Sequence, residues 1–209
     1  MEKAAKKGPS KPYESFTDWA RDTAEVITVP VARFLARLGF HPNAVTVLGS
    51  VLTVGVAAVL ATGRLALGGW LLAVVAPLDA VDGALARLIG QKSRFGAFLD
   101  STLDRFSEAA LLIGLAIHYL LQGAALEVVL AFVAMTGAML VSYTRARAEA
   151  LGFTCKVGAL TRLERIVVLA TGLILGWPTI ALWLLAIGNT FTALHRLLHV
   201  YGQSRKEGL

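Results

Sequence analysis

The sequence predicts an all-α integral membrane protein, with six transmembrane helices preceded by an N-terminal amphipathic interfacial helix. Three observations predict it. First, 56% of the 209 residues are hydrophobic and 16% are charged, with a mean hydropathy of +0.66, too little charge to cover an ordinary soluble domain. Second, the apolar residues fall in successive stretches of about 20, the length that crosses a hydrocarbon core. Third, the basic residues gather on alternate connections, the asymmetry of a multi-pass chain. The same composition excludes a disordered chain, and the single Cys155 excludes an internal disulfide framework. The net charge of +6 suits nucleic acid or an anionic membrane as a neighbour. The apolar content decides for membrane lipids and against nucleic acid.

Residues 1–15, with Lys3, Lys6, Lys7 and Lys11 beside Pro9 and Pro12, are expected to form a flexible basic arm. Over 16–40, Trp19, Val26, Val29, Val31, Phe34, Leu35 and Leu38 are interspersed with Arg21, Asp22, Glu25, Arg33 and Arg37. This is the pattern of an amphipathic juxtamembrane helix, interrupted or restarted at Pro30, that lies on the headgroups or packs on another part of the protein. A six-helix domain is expected over 41–201, with spans at 43–62, 66–89, 95–121, 124–143, 160–176 and 178–199, separated by Gly, Pro and charged residues. Residues 202–209 are the expected cytoplasmic tail. Six spans put both ends on one side, together with Lys92, Arg94, Arg145, Arg147, Lys156, Arg162 and Arg165, while the opposite connections hold only Arg64. That asymmetry places both termini and the basic loops on the cytoplasmic side of the cytoplasmic membrane.

Asp79, Asp82, Asp100 and Asp104 lie in or beside hydrophobic spans, where a carboxylate is costly and reads as functional. Asp79 and Asp82 share a helical face at i, i+3; Asp100 and Asp104 share one at i, i+4. The connection from Leu88 to Arg94 is short, so the two helices are expected to be antiparallel neighbours whose carboxylates converge just inside the cytoplasmic surface. Four such charges repel one another unless a proton or a cation intervenes. Oxygen-only ligands suit Mg²⁺ or Mn²⁺. The competing reading is ion pairing with Arg87, Arg94 or Arg105. Around the carboxylates, Gly83, Ala86 and Gly96 leave room for a ligand, and Arg87 offers a planar fork to phosphate.

The run Asp79-x2-Asp82-Gly83-x2-Ala86-Arg87-x8-Gly96-x3-Asp100-x3-Asp104 resembles the signature of the CDP-alcohol phosphotransferase family, with eight fixed positions matched over 26 residues without a gap. The resemblance implies that a CDP-linked lipid, usually CDP-diacylglycerol, donates its phosphatidyl group to an alcohol and CMP leaves. It implies Asp79, Asp82 and Asp100 as metal ligands, with Asp104 as a further ligand and as the general base for the acceptor hydroxyl. It also implies a CDP-lipid site of Pro42, Asn43, Asp82, Gly83, Ala86, Arg87 and Ser93, and a homodimer. The plain reading of Pro42-Asn43 is helix initiation with Asn43 as N-cap, which is compatible with a ligand role.

A second basic cluster bears on the acceptor. Arg145 and Arg147 close span four, Arg162 and Arg165 open span five, and Arg196 is an intramembrane cation without an obvious local partner. Several cations at one depth suit a dianionic phosphate on a soluble acceptor. The competing reading is that they serve the positive-inside rule, with Glu149 and Glu164 tying them into a structural network. The pattern Arg-Ala-Arg-Ala-Glu-x2-Gly, then Val-Gly-x3-Arg-x-Glu-Arg, resembles the inositol-phosphate-using branch, the phosphatidylinositol phosphate synthases and their archaeal ether-lipid counterparts. That resemblance implies that Arg145, Arg147, Arg165 and Arg196 grip the phosphate of inositol 1-phosphate. Glycerol 3-phosphate is the alternative acceptor. From another class, a divalent-cation channel or transporter would need carboxylates along the membrane depth; these four cluster near one surface.

The small-residue pairs Gly172-x3-Gly176 and Ala110-x3-Gly114 permit close helix packing, within or between subunits. The four His residues share no metal-ligand spacing and read as packing or interfacial groups. Trp70, Trp177 and Trp183 read as membrane anchors or packing.

Overall fold

The computed structural model describes residues 28–91 and 93–206. The basic arm, the first half of the expected amphipathic helix (16–27), Lys92 and residues 207–209 lie outside the described residues. Helix α1 covers residues 28–37, followed by α2 (Pro42–Ala61), α3 (Leu65–Val75), α4 (Leu78–Leu88), α5 (Arg94–Leu121), α6 (Ala125–Ala150), α7 (Arg162–Ile174) and α8 (Pro178–Lys206).

The described part of the interfacial segment is helical through Pro30. It buries Ala32, with Leu35 and Ala36 beside it, against Val45 of α2 and Val81, Ala84 and Leu85 of α4. Phe34 and Leu38 on its other side are 61% and 57% exposed. One face of α1 therefore packs on the site-bearing helix while the other turns outward. The chain then reverses into α2, whose N-cap is His41: its Nδ1 accepts from Asn43 N–H at 3.2 Å, and Pro42 occupies the first helical turn. The expectation of Asn43 as the cap is corrected. Proline gives up an N–H that has no intrahelical partner there anyway, which leaves the Asn43 side chain uncommitted to the cap.

The second apolar stretch, expected as one helix over 66–89, is broken. Pro77 has no N–H to donate and its ring crowds the preceding turn, so α3 ends at Val75 and α4 restarts at Leu78, with tighter bonds from Asp79 N–H to Ala76 O and from Ala80 N–H to Pro77 O. The break puts Asp79 in the first turn of a new helix, where the helix dipole favours a negative charge.

Among the described residues, four helical stretches are long and apolar enough to cross a membrane: Pro42–Ala61, Leu65–Leu88 (α3 and α4 together), Ala125–Ala150 and Pro178–Lys206. Helix α5 has the length, at 28 residues, but carries Asp100, Asp104, Arg105 and Glu108. Helix α7, at 13 residues, rises about 20 Å at 1.5 Å per residue, short of a hydrocarbon core of about 30 Å.

Besides the small cluster under α1, a larger apolar cluster forms the core, in which Leu60 (α2), Leu72 (α3), Leu111 and Leu115 (α5), Leu173 (α7) and Leu182 (α8) are fully enclosed. Close approach depends on small residues. A methyl group added at Gly114 would collide with the Ala57 carbonyl oxygen of α2, and one at Gly172 would lie 2.5 Å from the Ala181 Cβ of α8. Both glycines thus serve contacts within the chain. Gly176 ends α7 at φ +74°, a conformation that L side chains rarely adopt. The outer surface is apolar, with Val74, Leu120, Leu121 and Phe191 all exposed, as expected of a multi-pass membrane protein.

Candidate active site

The carboxylates sit where three helix ends meet. Asp79 and Asp82 come from the start of α4, Asp100 and Asp104 from the first turns of α5, and Thr46 from the first turns of α2. Asp82 is buried and accepts from Thr46 Oγ1 at 2.5 Å; the same hydroxyl lies 3.2 Å from Pro42 O. A methyl group at Gly49 would stand 3.5 Å from Asp79 Oδ1, so α2 lines the site along two turns. Asp79, Asp100 and Asp104 are half-buried. The four carboxylates act on one another electrostatically: Asp82 feels Asp79 and Asp104, Asp100 feels Asp79 and Asp82, and Asp104 feels Asp79 and Asp100. The carboxylates are thus brought near one another, but not by the expected antiparallel pairing of α4 with α5: each of those helices packs on α2 instead, which brings them to the same end of the bundle.

The counter-charge comes from elsewhere. Arg162 opens α7, held there by a capping box in which Glu164 Oε2 accepts from Thr161 N–H at 2.9 Å. A cation at a helix N-terminus opposes the helix dipole, and here carboxylates offset it: Arg162 Nη1 pairs with Asp79 Oδ2 and, at 2.7 Å, with Asp104 Oδ1. Arg105 Nη1 pairs with Asp104 Oδ2 at 3.1 Å. Both oxygens of Asp104 thus face guanidinium groups. Arg87 and Arg94 make no ion pair among the described residues, so of the three partners named from sequence only Arg105 engages a carboxylate. Among the described residues, no three His, Cys, Asp or Glu side chains close on one point in metal-holding geometry. The donor chemistry nonetheless fits a hard divalent cation: all-oxygen, several-fold negative, and already drawing a cation into its midst.

The residues expected at the nucleotide flank the carboxylates along α2, α4 and α5. Ser93 caps α5, its Oγ accepting from Gly96 N–H at 2.8 Å. A methyl group at Gly96 would lie 3.0 Å from Ser93 Oγ and 3.1 Å from Asn43 Oδ1, so glycine here keeps open a gap lined by Asn43 and Ser93. Arg87 is exposed in the last turn of α4, with Nη1 3.6 Å from where a methyl group at Gly83 would stand. Pro42 is buried, and Ala86 is half-buried one turn from Asp82.

The four arginines expected at the acceptor phosphate do not share one environment. Arg147 is exposed. Arg145 pairs with Glu149 at 2.9 Å on the surface of α6, so the expected tie through Glu149 is present. Helix α6 continues to Ala150, which places the two arginines on different faces. Arg165 is 3% exposed and grips Glu108 of α5 with two bonds, Nε at 2.5 Å and Nη2 at 2.7 Å, plus Nη1 to Leu160 O at 3.3 Å. Arg196, expected to lack a local partner, is buried and engaged by main-chain oxygens: Nε donates to Val157 O at 2.8 Å and Nη1 donates to Val141 O. Gly158 makes room, since a methyl group there would meet Thr192 Cγ2 at 2.6 Å and Arg196 Nε at 3.4 Å. Three residues escape the sequence reading: Thr46, a buried hydroxyl one turn past Pro42; Arg162 as the carboxylates' partner; and Glu108. Glu108 follows Asp100 and Asp104 at steps of four, a continuing carboxylate stripe that could have signalled it.

The site is thus a carboxylate cluster engaged by Arg162 and Arg105 within a helical membrane bundle. The chain belongs to the CDP-alcohol phosphatidyltransferase family, whose profile matches residues 40–194, and it is a transferase of phospholipid synthesis. It is 37% identical over 187 residues to the phosphatidylinositol phosphate synthase of Corynebacterium glutamicum, covering 85% of each chain. It is 38% identical over 168 residues to the archaetidylinositol phosphate synthase of Pyrococcus horikoshii, covering 80% of this chain and 87% of that one. The fold is similar to that of the phosphatidylinositol phosphate synthase of Mycobacterium tuberculosis. That enzyme has been solved with CDP-DAG bound (TM-score 0.77, 33% identity, 84% of this chain and 94% of that chain). It has also been solved in complex with manganese and citrate (TM-score 0.78, 33% identity, 83% and 88%).

Proposed function

We propose that this protein transfers the phosphatidyl group of CDP-diacylglycerol to a hydroxyl of inositol 1-phosphate and releases CMP. The observation that carries the proposal is the gathering of the signature carboxylates of α4 and α5 beside α2, with Asn43 and Ser93 lining the gap over Gly96 and Arg87 in the last turn of α4. Relatives named for inositol phosphate chemistry support the choice of acceptor.

Asp79, Asp82 and Asp100, with Asp104, would hold a divalent cation, Mg²⁺ or Mn²⁺. Bound there, it would supply positive charge to the diphosphate and to the departing CMP. The chain's own groups do the rest. Thr46 fixes the Asp82 carboxylate by its hydrogen bond. Arg87, exposed and without an ion pair among the described residues, presents a fork to the donor's phosphates. Pro42, Asn43, Gly83, Ala86 and Ser93 line the nucleotide side. Asp104 takes the proton from the acceptor hydroxyl as that oxygen forms its bond to the phosphatidyl phosphorus and the bond from phosphorus to the CMP oxygen breaks. Arg147, exposed near the end of α6, meets the acceptor phosphate; Arg145 is held by Glu149 on another face, and Arg165 and Arg196 shape the pocket from behind. The proposal includes six spans, with α5 and α7 completing the four apolar ones within the 41–201 domain. It also includes a homodimer, and a site and termini on the cytoplasmic side.

The test measures CMP release by purified protein given CDP-diacylglycerol and Mg²⁺ or Mn²⁺, comparing inositol 1-phosphate, glycerol 3-phosphate, serine and free inositol. Release specific to inositol 1-phosphate is expected. Release with glycerol 3-phosphate alone would overturn the acceptor, and release with none would overturn the reaction.

A further inference from the structure

Arg162 occupies a position the reaction does not explain. Its guanidinium lies among the carboxylates, bridging Asp79 and Asp104 from the start of α7. The bridge leaves its own Nε buried with no hydrogen-bond partner among the described residues. A guanidinium normally spends its donors in a planar fork, and a buried, unpaired N–H is costly. The pose therefore answers the surrounding negative charge at the expense of the arginine's own hydrogen bonding. It also engages one Asp104 oxygen, while Arg105 faces the other.

We propose that Arg162 is an exchangeable internal cation. It neutralises Asp79 and Asp104 when no divalent ion is bound, and a divalent ion displaces it. The exchange frees Oδ1 of Asp104 and releases the orphaned Nε to find a partner. Arg162 is then a positioning residue that links metal occupancy to the availability of the base, and it competes with the metal in the substrate-free enzyme. The inference rests on the metal-centre reading above.

Competition predicts the opposite sign from support. If Arg162 merely braced the site, its removal would loosen the carboxylates and weaken metal binding. If it competes, Arg162→Gln tightens metal binding. The experiment titrates Mn²⁺ into the purified, substrate-free protein in lipid nanodiscs, reading free Mn²⁺ by electron paramagnetic resonance. Loss of charge-assisted bonds to two carboxylates should lower the Mn²⁺ Kd of Arg162→Gln about tenfold. Arg162→Lys, a point charge that lacks the bridging fork, should fall between that variant and the parent. Equal or weaker Mn²⁺ binding in Arg162→Gln overturns the inference. Should that variant not fold without metal, Arg162→Lys decides on the same criterion. If the parent and both variants all fail to take up Mn²⁺, the metal-centre reading falls as well, an outcome distinct from parental binding that the substitution leaves unchanged.

Discussion

Glu108→Gln tests whether Arg165 is a structural residue or a ligand-binding one. The parent pair is made of two short charge-assisted bonds between side chains that are 3% and 9% exposed. Neutralising the glutamate strands a guanidinium in the bundle, a loss of about 3–5 kcal/mol for a broken buried pair. For a chain of this length each kcal/mol moves the midpoint by about 2–4 °C, so the expected fall in Tm is about 6–20 °C. The assay is thermal unfolding of the detergent-solubilised protein, followed by intrinsic tryptophan fluorescence. Arg165→Gln should cost a similar amount. The double change Arg165→Met with Glu108→Leu should recover much of it, because apolar replacements strand no charge. A Tm for Glu108→Gln within about 2 °C of the parent would refute the reasoning. Arg165 would then be held by something other than Glu108 and remain available to a substrate phosphate.

Asp104→Asn should lower kcat about a hundred- to ten-thousandfold while CMP binding stays measurable by calorimetry, and near-parental turnover would remove Asp104 as base. Thr46→Val strips the buried Asp82 of its hydroxyl partner and should destabilise the metal-free protein by about 1.5–3 kcal/mol, an effect whose absence in thermal unfolding would contradict the hydrogen bond. Gly96→Val fills the gap beside Ser93 and Asn43. It should raise the KM for CDP-diacylglycerol several-fold, and a donor KM that does not move would take that gap out of the nucleotide site. Arg196→Gln should speed amide hydrogen exchange over residues 151–160 about tenfold, the loss of one charged hydrogen bond; unaltered protection would show that Arg196 does not hold that loop.

Much of this architecture was legible in the residues. The apolar stretches located α2, α5, α6 and α8 because hydrocarbon thickness imposes a length on the sequence. Their ends were less legible. Helices α6 and α8 run on to Ala150 and Lys206, past the apolar stretch, because backbone hydrogen bonding continues where side-chain hydropathy changes. The break at Pro77 carried its signal openly and was outweighed by the apolar residues around it. The carboxylate cluster was readable because its spacing is local and helical. The arginine partners were not: Arg162 finds Asp79 across 83 residues and Arg165 finds Glu108 across 57. No local period encodes such pairings; they follow only once α7 is packed on α3 and α8, which brings its arginine side chains within reach of α5 and the start of α4.

The anchorage of Arg196 has an evolutionary corollary. It holds main-chain oxygens at 141 and 157, atoms every amino acid supplies, so the identities of those two residues are released from any duty to match the arginine. Over generations both can drift among residues of tolerable size while the tether persists. Searches for correlated substitutions between paired side chains would therefore pass over this contact, even though it fastens the loop between α6 and α7 to the final helix.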